Sequence, residues 1–133
     1  MDSSPFLTSA KIVCSSDLLA RAKKLKKPNV VIANAGSILP MLAAKEATLI
    51  GIMNPIFVGD VRAIEEEAAS LKWDISDFEI VAAKGELESS ELAAKLCGSG
   101  HGDILMKGDV HSDIFMKAVL TKDAGLRSSR RLV

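Results

Sequence analysis

The sequence predicts an α/β fold, a three-layer domain on a parallel sheet. Short apolar runs at 29–33, 55–58, 78–82 and 103–106 alternate with stretches whose apolar residues recur at helical spacing. Capping residues, glycines and Pro28 punctuate the changes of period. Regular strand–helix alternation implies parallel strands joined by right-handed crossovers, with helices covering both faces. The 133 residues suit one domain, 1–133, and contain no internal repeat or low-complexity linker.

Taken in order, Ser15, Ser16 and Asp17 can cap a helix over 16–27, with Leu18, Leu19, Ala22 and Leu25 on one face. Its basic end, Arg21 to Lys27, complements the helix dipole, and Pro28 stops it. After the first strand, Gly36 and Ser37 precede a helix over 38–49. Pro40 fits its first turn, where amides have no intrahelical acceptor, and Ser37 serves as cap. The second strand closes at Gly59, and Asp60 caps a helix over 61–72 with Glu65, Glu66 and Glu67 solvated. Following the third strand, Ser89 and Ser90 are expected to start a helix that ends at Gly98. The fourth strand leads to a helix over 113–121, capped by Ser112 or a residue nearby. Gly125 then begins a turn with a basic cluster and two apolar residues, Leu132 and Val133, that read as the start of a further strand.

Charge is balanced, 17 Lys+Arg against 17 Asp+Glu, so no basic field points to nucleic acid or an anionic membrane. Aromatic content of 4% leaves few platforms for stacking bases. A mean hydropathy of +0.23 is high for a small domain and points to apolar surface that an oligomer would cover. The first ten residues lack the basic and apolar regions of a secretory leader, and no apolar run approaches a membrane span. A cytoplasmic, reducing setting is expected, with Cys14 and Cys97 as small buried hydrophobes.

Ligands of open parallel sheets gather outside the carboxyl ends of the strands, where helix N-termini present free amides. Three junctions fit that place: Asn34 to Ser37, Gly59-Asp60, and Lys107 to Ser112. The third is chemically richest. Lys107 supplies a point charge, Gly108 lets backbone come close, Asp109 lies in the turn, His111 titrates near neutrality, and Ser112 can donate to an oxyanion. Gly36 and Ser37 form a weaker candidate, and Arg127 with Arg130 and Arg131 could receive phosphates. An ordinary strand-to-helix turn explains the same residues at 107–112, and a serine cap explains Ser37. The sequence has no P-loop, no G-x-G-x-x-G, no G-x-S-x-G elbow and no histidine at metal spacing with Cys or acid. No metal site or resident cofactor is expected.

Ile104 to Gly108, His111-Ser-Asp113, Ala118-Val-Leu120 and Gly125-Leu-Arg127 with Arg130-Arg131 resemble the core of the phosphate acetyl/butyryltransferase family. Asn54-Pro-Ile-Phe-Val-Gly-Asp60 is similar to the family's "piLvGd" segment, and 43–51 fits the helix before it. The resemblance implies reversible transfer of an acyl group between coenzyme A, as substrate, and inorganic phosphate. It implies a two-domain homodimer similar in fold to isocitrate and isopropylmalate dehydrogenases, of which this chain forms the N-terminal portion. Lys107, Gly108, Asp109, His111, Ser112, Arg127, Gly36 and Ser37 would then bind substrate. The family's catalytic serine and aspartate lie in its C-terminal half, so no catalytic residue is assigned here. Met116-Lys117, where acetyl-specific members carry Arg-Pro, leans toward the butyryl-type branch. The alternative from a different class is a non-catalytic α/β remnant that self-associates through apolar surface.

Overall fold

The computed structural model describes residues 15–126. Four strands, β1 (Asn29–Ala33), β2 (Asn54–Gly59), β3 (Glu79–Ala82) and β4 (Ile104–Lys107), form one parallel sheet in the order β3-β2-β1-β4. The helices are α1 (Ser16–Lys24), α2 (Ile38–Ile50), α3 (Val61–Ser70), α4 (Gly85–Gly98) and α5 (Ser112–Leu120), followed by a 3-10 turn at Lys122–Ala124. The expected α/β parallel architecture is present.

Strand order explains the layers. The chain steps from β1 to β2 to β3 in one direction, so right-handed crossovers place α2 and α3 on one face. The return from β3 to β4 passes back across the sheet and puts α4 on the other. The side chains agree. Val30, Ile32 and Phe57 join Met41, Ala44 and Ile64 in one core cluster, while Val31, Ala33 and Val58 join Ala93 and Val110 in a second. Consecutive residues of β1 thus feed opposite cores, which is why that strand is apolar throughout. Direction reverses between β1 and β4, and that reversal is the topological switch point.

Several boundaries differ from expectation. The first helix ends at Lys24 and buries none of its residues; Leu18 is 62% and Leu25 is 70% exposed, so its apolar face stays largely open among the described residues. The outer side of α2 is also apolar and open, with Ile38, Leu39 and Leu49 exposed. The larger correction concerns α4, which starts at Gly85 rather than at Ser89. Glu86 and Glu88 occupy its first turn, where carboxylates complement the positive end of the helix dipole, and Glu88 accepts from the Lys84 amide. Ser89 and Ser90 are therefore interior helix residues, both fully buried. The Ser89 hydroxyl donates to Asn34 Oδ1 at 3.3 Å, but Ser90 Oγ has no partner among the described residues. A desolvated hydroxyl without a partner is a net cost. Ser90→Ala is expected to raise stability by about 1 kcal/mol; a lowered melting temperature would show that the hydroxyl is satisfied.

Cys97 packs into the second core, and its burial pushes the thiol pKa up, as fits a small hydrophobe rather than a nucleophile. Cys14 lies outside the described residues. No helix of the described residues is long and apolar enough to cross a membrane.

Candidate anion site at the switch point

The carboxyl ends of β1 and β4 meet side by side, Ala33 opposite Lys107 in register. The chain leaving β4 is strapped to the chain leaving β1 by three hydrogen bonds. Gly108 N donates to Ala33 O (2.9 Å), Asp109 N donates to Asn34 O (3.0 Å), and Asn34 Nδ2 donates to Asp109 O (2.7 Å). Asn34 adopts the left-handed conformation, φ 56°, that turns its side chain back onto this strap.

Gly108 has a different reason from the one its sequence suggested. A Cβ there would lie 2.3 Å from Ala33 O and 2.7 Å from Asn34 O. The glycine lets two backbones pass; it does not open the backbone to a ligand. Its amide and that of Asp109 are consumed by the strap, so the free amides lie one step on. Those of Ser112, Asp113 and Ile114, in the first turn of α5, have no intrahelical acceptor. Ser112 is the first residue of the helix rather than its cap; His111 holds the cap position, and no side chain caps the end. Ser37 does hold the cap position of α2, but its side chain makes no cap bond.

Glu86 is the residue that sequence reasoning missed. Placing the start of α4 at Ser89 left 85–88 in a loop, whereas the helix carries Glu86 to the edge of the site. Its Oε1 accepts from both His111 N and His111 Nδ1, each at 2.7 Å. Paired acids before an apolar-periodic stretch were the available signal. The His111 imidazole is pushed up from its ordinary 6.5, first by the Glu86 hydrogen bond, then by the Glu86 charge, with Asp113 and Asp109 adding. Glu86 is held below its ordinary 4.5, chiefly by the two His111 bonds, with help from the charges of His111 and Lys107. The sign follows directly. Imidazolium stabilisation is complete below 6.5 and lost as pH rises through the raised value; carboxylate stabilisation is complete above 4.5 and lost as pH falls. The pair is thus tightest between roughly pH 4.5 and 6.5.

Lys107, Gly108, Asp109, His111 and Ser112 therefore form one rim, joined by Asn34 and Glu86. Lys107 is exposed and makes no ion pair among the described residues. The Asp109 carboxylate adds negative charge, so its part in the rim is through its backbone. Gly36 and Ser37 stand apart: Gly36, φ 107°, faces α3, where a Cβ would meet Ala63 Cβ at 3.2 Å. Arg127 lies outside the described residues. Beyond Gly36, an open groove of about 660 Å³ crosses the ends of β2 and β3, lined by residues including Asp60, Arg62, Lys84 and Glu88. The other histidine, His101, pairs with Glu79 at the amino ends of the strands, 2.7 Å apart. Among the described residues no group of three or more His, Cys, Asp or Glu could hold a metal ion.

No family model matches the chain. Individual relatives do. It is 40% identical over 114 residues to a phosphate butyryltransferase of Clostridium beijerinckii, covering 86% of this chain and 38% of that protein. It is 32% identical over 117 residues to a phosphate acetyltransferase of Rhizobium meliloti, covering 87% and 37%. A solved phosphotransacetylase from Streptococcus pyogenes superposes on 80% of this chain and 42% of its own, with a TM-score of 0.61 and 13% identity, a likeness of fold. The chain thus spans less than half the length of the curated relatives it matches. By sequence it is similar to phosphate acetyl- and butyryltransferases over part of their length.

Proposed function

We propose that this chain is the N-terminal portion of a two-domain phosphate acyltransferase, moving an acyl group between coenzyme A and inorganic phosphate. The observation that carries the reading is the 40% identity to a phosphate butyryltransferase across the segment that builds the switch-point rim. In the forward direction a phosphate oxygen attacks the thioester carbonyl, the carbon–sulfur bond breaks, and the thiolate leaves. Phosphate, acyl phosphate and coenzyme A are all anions, so one side of the cleft must gather positive potential. Lys107, His111 and the free amides of Ser112 to Ile114 supply it, with Gly108 and Asp109 holding their geometry. Arg127 would add a cation, and Gly36 and Ser37 would line the approach. The groove with Arg62 and Lys84 offers room for the longer part of coenzyme A.

On this reading the domain has the layout of one part of the isocitrate/isopropylmalate dehydrogenase-like fold, and the working molecule assembles as a homo-oligomer and acts in the cytoplasm. The open apolar faces of α1 and α2 support assembly, because such surface is costly to leave in water. Thermal unfolding of the 133-residue chain with millimolar coenzyme A or phosphate tests the proposal. A raised melting temperature is expected, since ligands that favour the native state stabilise it by mass action. Acyl-CoA formation from acyl phosphate should be negligible for the chain alone. Absence of a shift with coenzyme A overturns the reading, and brisk turnover would place catalytic groups in this segment.

A further inference from the structure

We propose that Glu86 is a positioning residue that fixes His111 with Nδ1–H turned inward and Nε2 presented to a phosphate oxygen beside Lys107. The inference rests on the acyltransferase reading for its ligand class but on geometry for its content. Glu86 Oε1 sits 2.7 Å from both the amide nitrogen and Nδ1 of His111. The two donors come from one residue and converge on one oxygen, which sets the imidazole orientation about χ1 as well as its distance. An ionised carboxylate has no proton to give, so Nδ1 must be the donor in both the neutral and the charged ring. Nε2 is then the atom that titrates, and it is free: the His111 side chain is 78% exposed.

The charged surroundings of the ring come from two helices, a strand end and the turn between β4 and α5. Glu86 of α4 faces Nδ1; Asp109 of the preceding turn and Asp113 of α5 add negative charge; Lys107 acts on Glu86 from the end of β4. Three carboxylates keep the ring protonated nearer neutrality, and only Glu86 is bonded to it. An imidazolium Nε2–H can donate to a phosphate oxygen, while a neutral Nε2 can accept from the hydroxyl of monohydrogen phosphate. In either state the Glu86 bond is unchanged.

Long-range imidazole nitrogen spectra of the full chain test this, with His101→Gln used to assign the two rings. The neutral form of His111 should carry its proton on Nδ1. Orthophosphate, added at constant ionic strength against chloride, should move the Nε2 resonance and raise the titration midpoint. Glu86→Gln keeps the shape and removes the charge; it should lower that midpoint, mix the tautomers and weaken phosphate binding about threefold, the scale of an exposed ion pair. Glu91→Gln, an equal charge change at an exposed position of the same helix, should do none of these. A dominant Nε2–H tautomer, an Nε2 resonance indifferent to phosphate, or identical behaviour of the two variants overturns the proposal. Coenzyme A separates the two readings. If it stabilises the chain while phosphate leaves Nε2 untouched, the positioning role fails alone. If phosphate engages Nε2 and coenzyme A does nothing, the acyltransferase reading fails and the phosphate site stands.

Discussion

Gly108→Ala is expected to destabilise the domain by at least about 3 kcal/mol, the upper range for forcing atoms into packed space. The new methyl would sit 2.3 Å from Ala33 O and 2.7 Å from Asn34 O. Neither oxygen can retreat cheaply. Ala33 lies fully buried in a strand paired on both sides, and its carbonyl accepts from Gly108 N; the Asn34 carbonyl accepts from Asp109 N. Relief requires the chain leaving β4 to swing outward, which breaks the strap and carries the start of α5 away from Asn34. Stability and ligand binding should therefore fall together. Circular dichroism should register a melting temperature lower by about 10 °C or more. Gly100→Ala is the control: φ is 87°, so an alanine is strained, but nothing lies within 4 Å. Should the two variants melt alike, the close passage of the two backbones is not there.

The second large effect is in the core. Phe57 is fully buried on β2, with Trp73 edge-on at 5.6 Å and Phe78 at 6.5 Å. Truncating a buried phenylalanine removes its transfer energy and leaves a cavity that the sheet cannot close, so Phe57→Ala should cost about 3–5 kcal/mol. Against a total of about 5–15 kcal/mol for an ordinary domain, that leaves a marginal fold. Trp73 is the only tryptophan in the chain and is 8% exposed, so its emission reports on this one cluster. The alanine variant should shift that emission to the red before global unfolding. Phe57→Leu keeps most of the volume and should cost about 1.5 kcal/mol or less. A Phe57→Ala cost near 1 kcal/mol would mean that the aromatic cluster relaxes around the gap.

The strands and helices were readable because their signals are local. A run such as Val30 to Ala33 between Pro28 and Gly36 needs no partner to identify it, and Asp60 caps α3 through its own neighbours, Arg62 N and Ala63 N. The start of α4 was misplaced because two kinds of cap signal compete there. Ser89 and Ser90 are good caps in isolation, yet the helix gains more by extending back to Gly85, which buries both serines and brings Glu86 to His111. The apolar face of α1 is the converse case: the pattern is helical, but among the described residues none of the face is fully buried.

By itself, the order of residues determined the class of fold, the place of Lys107 and His111 at a strand-to-helix hand-over, and the likeness to part of the phosphate acetyl- and butyryltransferases. Only the folded molecule decided that β4 lies against β1 rather than β3, so that Asn34, 75 positions from Asp109, closes the junction and Gly108 is needed for clearance. Neighbour relations between strands depend on which crossover packs on which face. That is a property of the whole sheet, and no stretch of chain carries it alone.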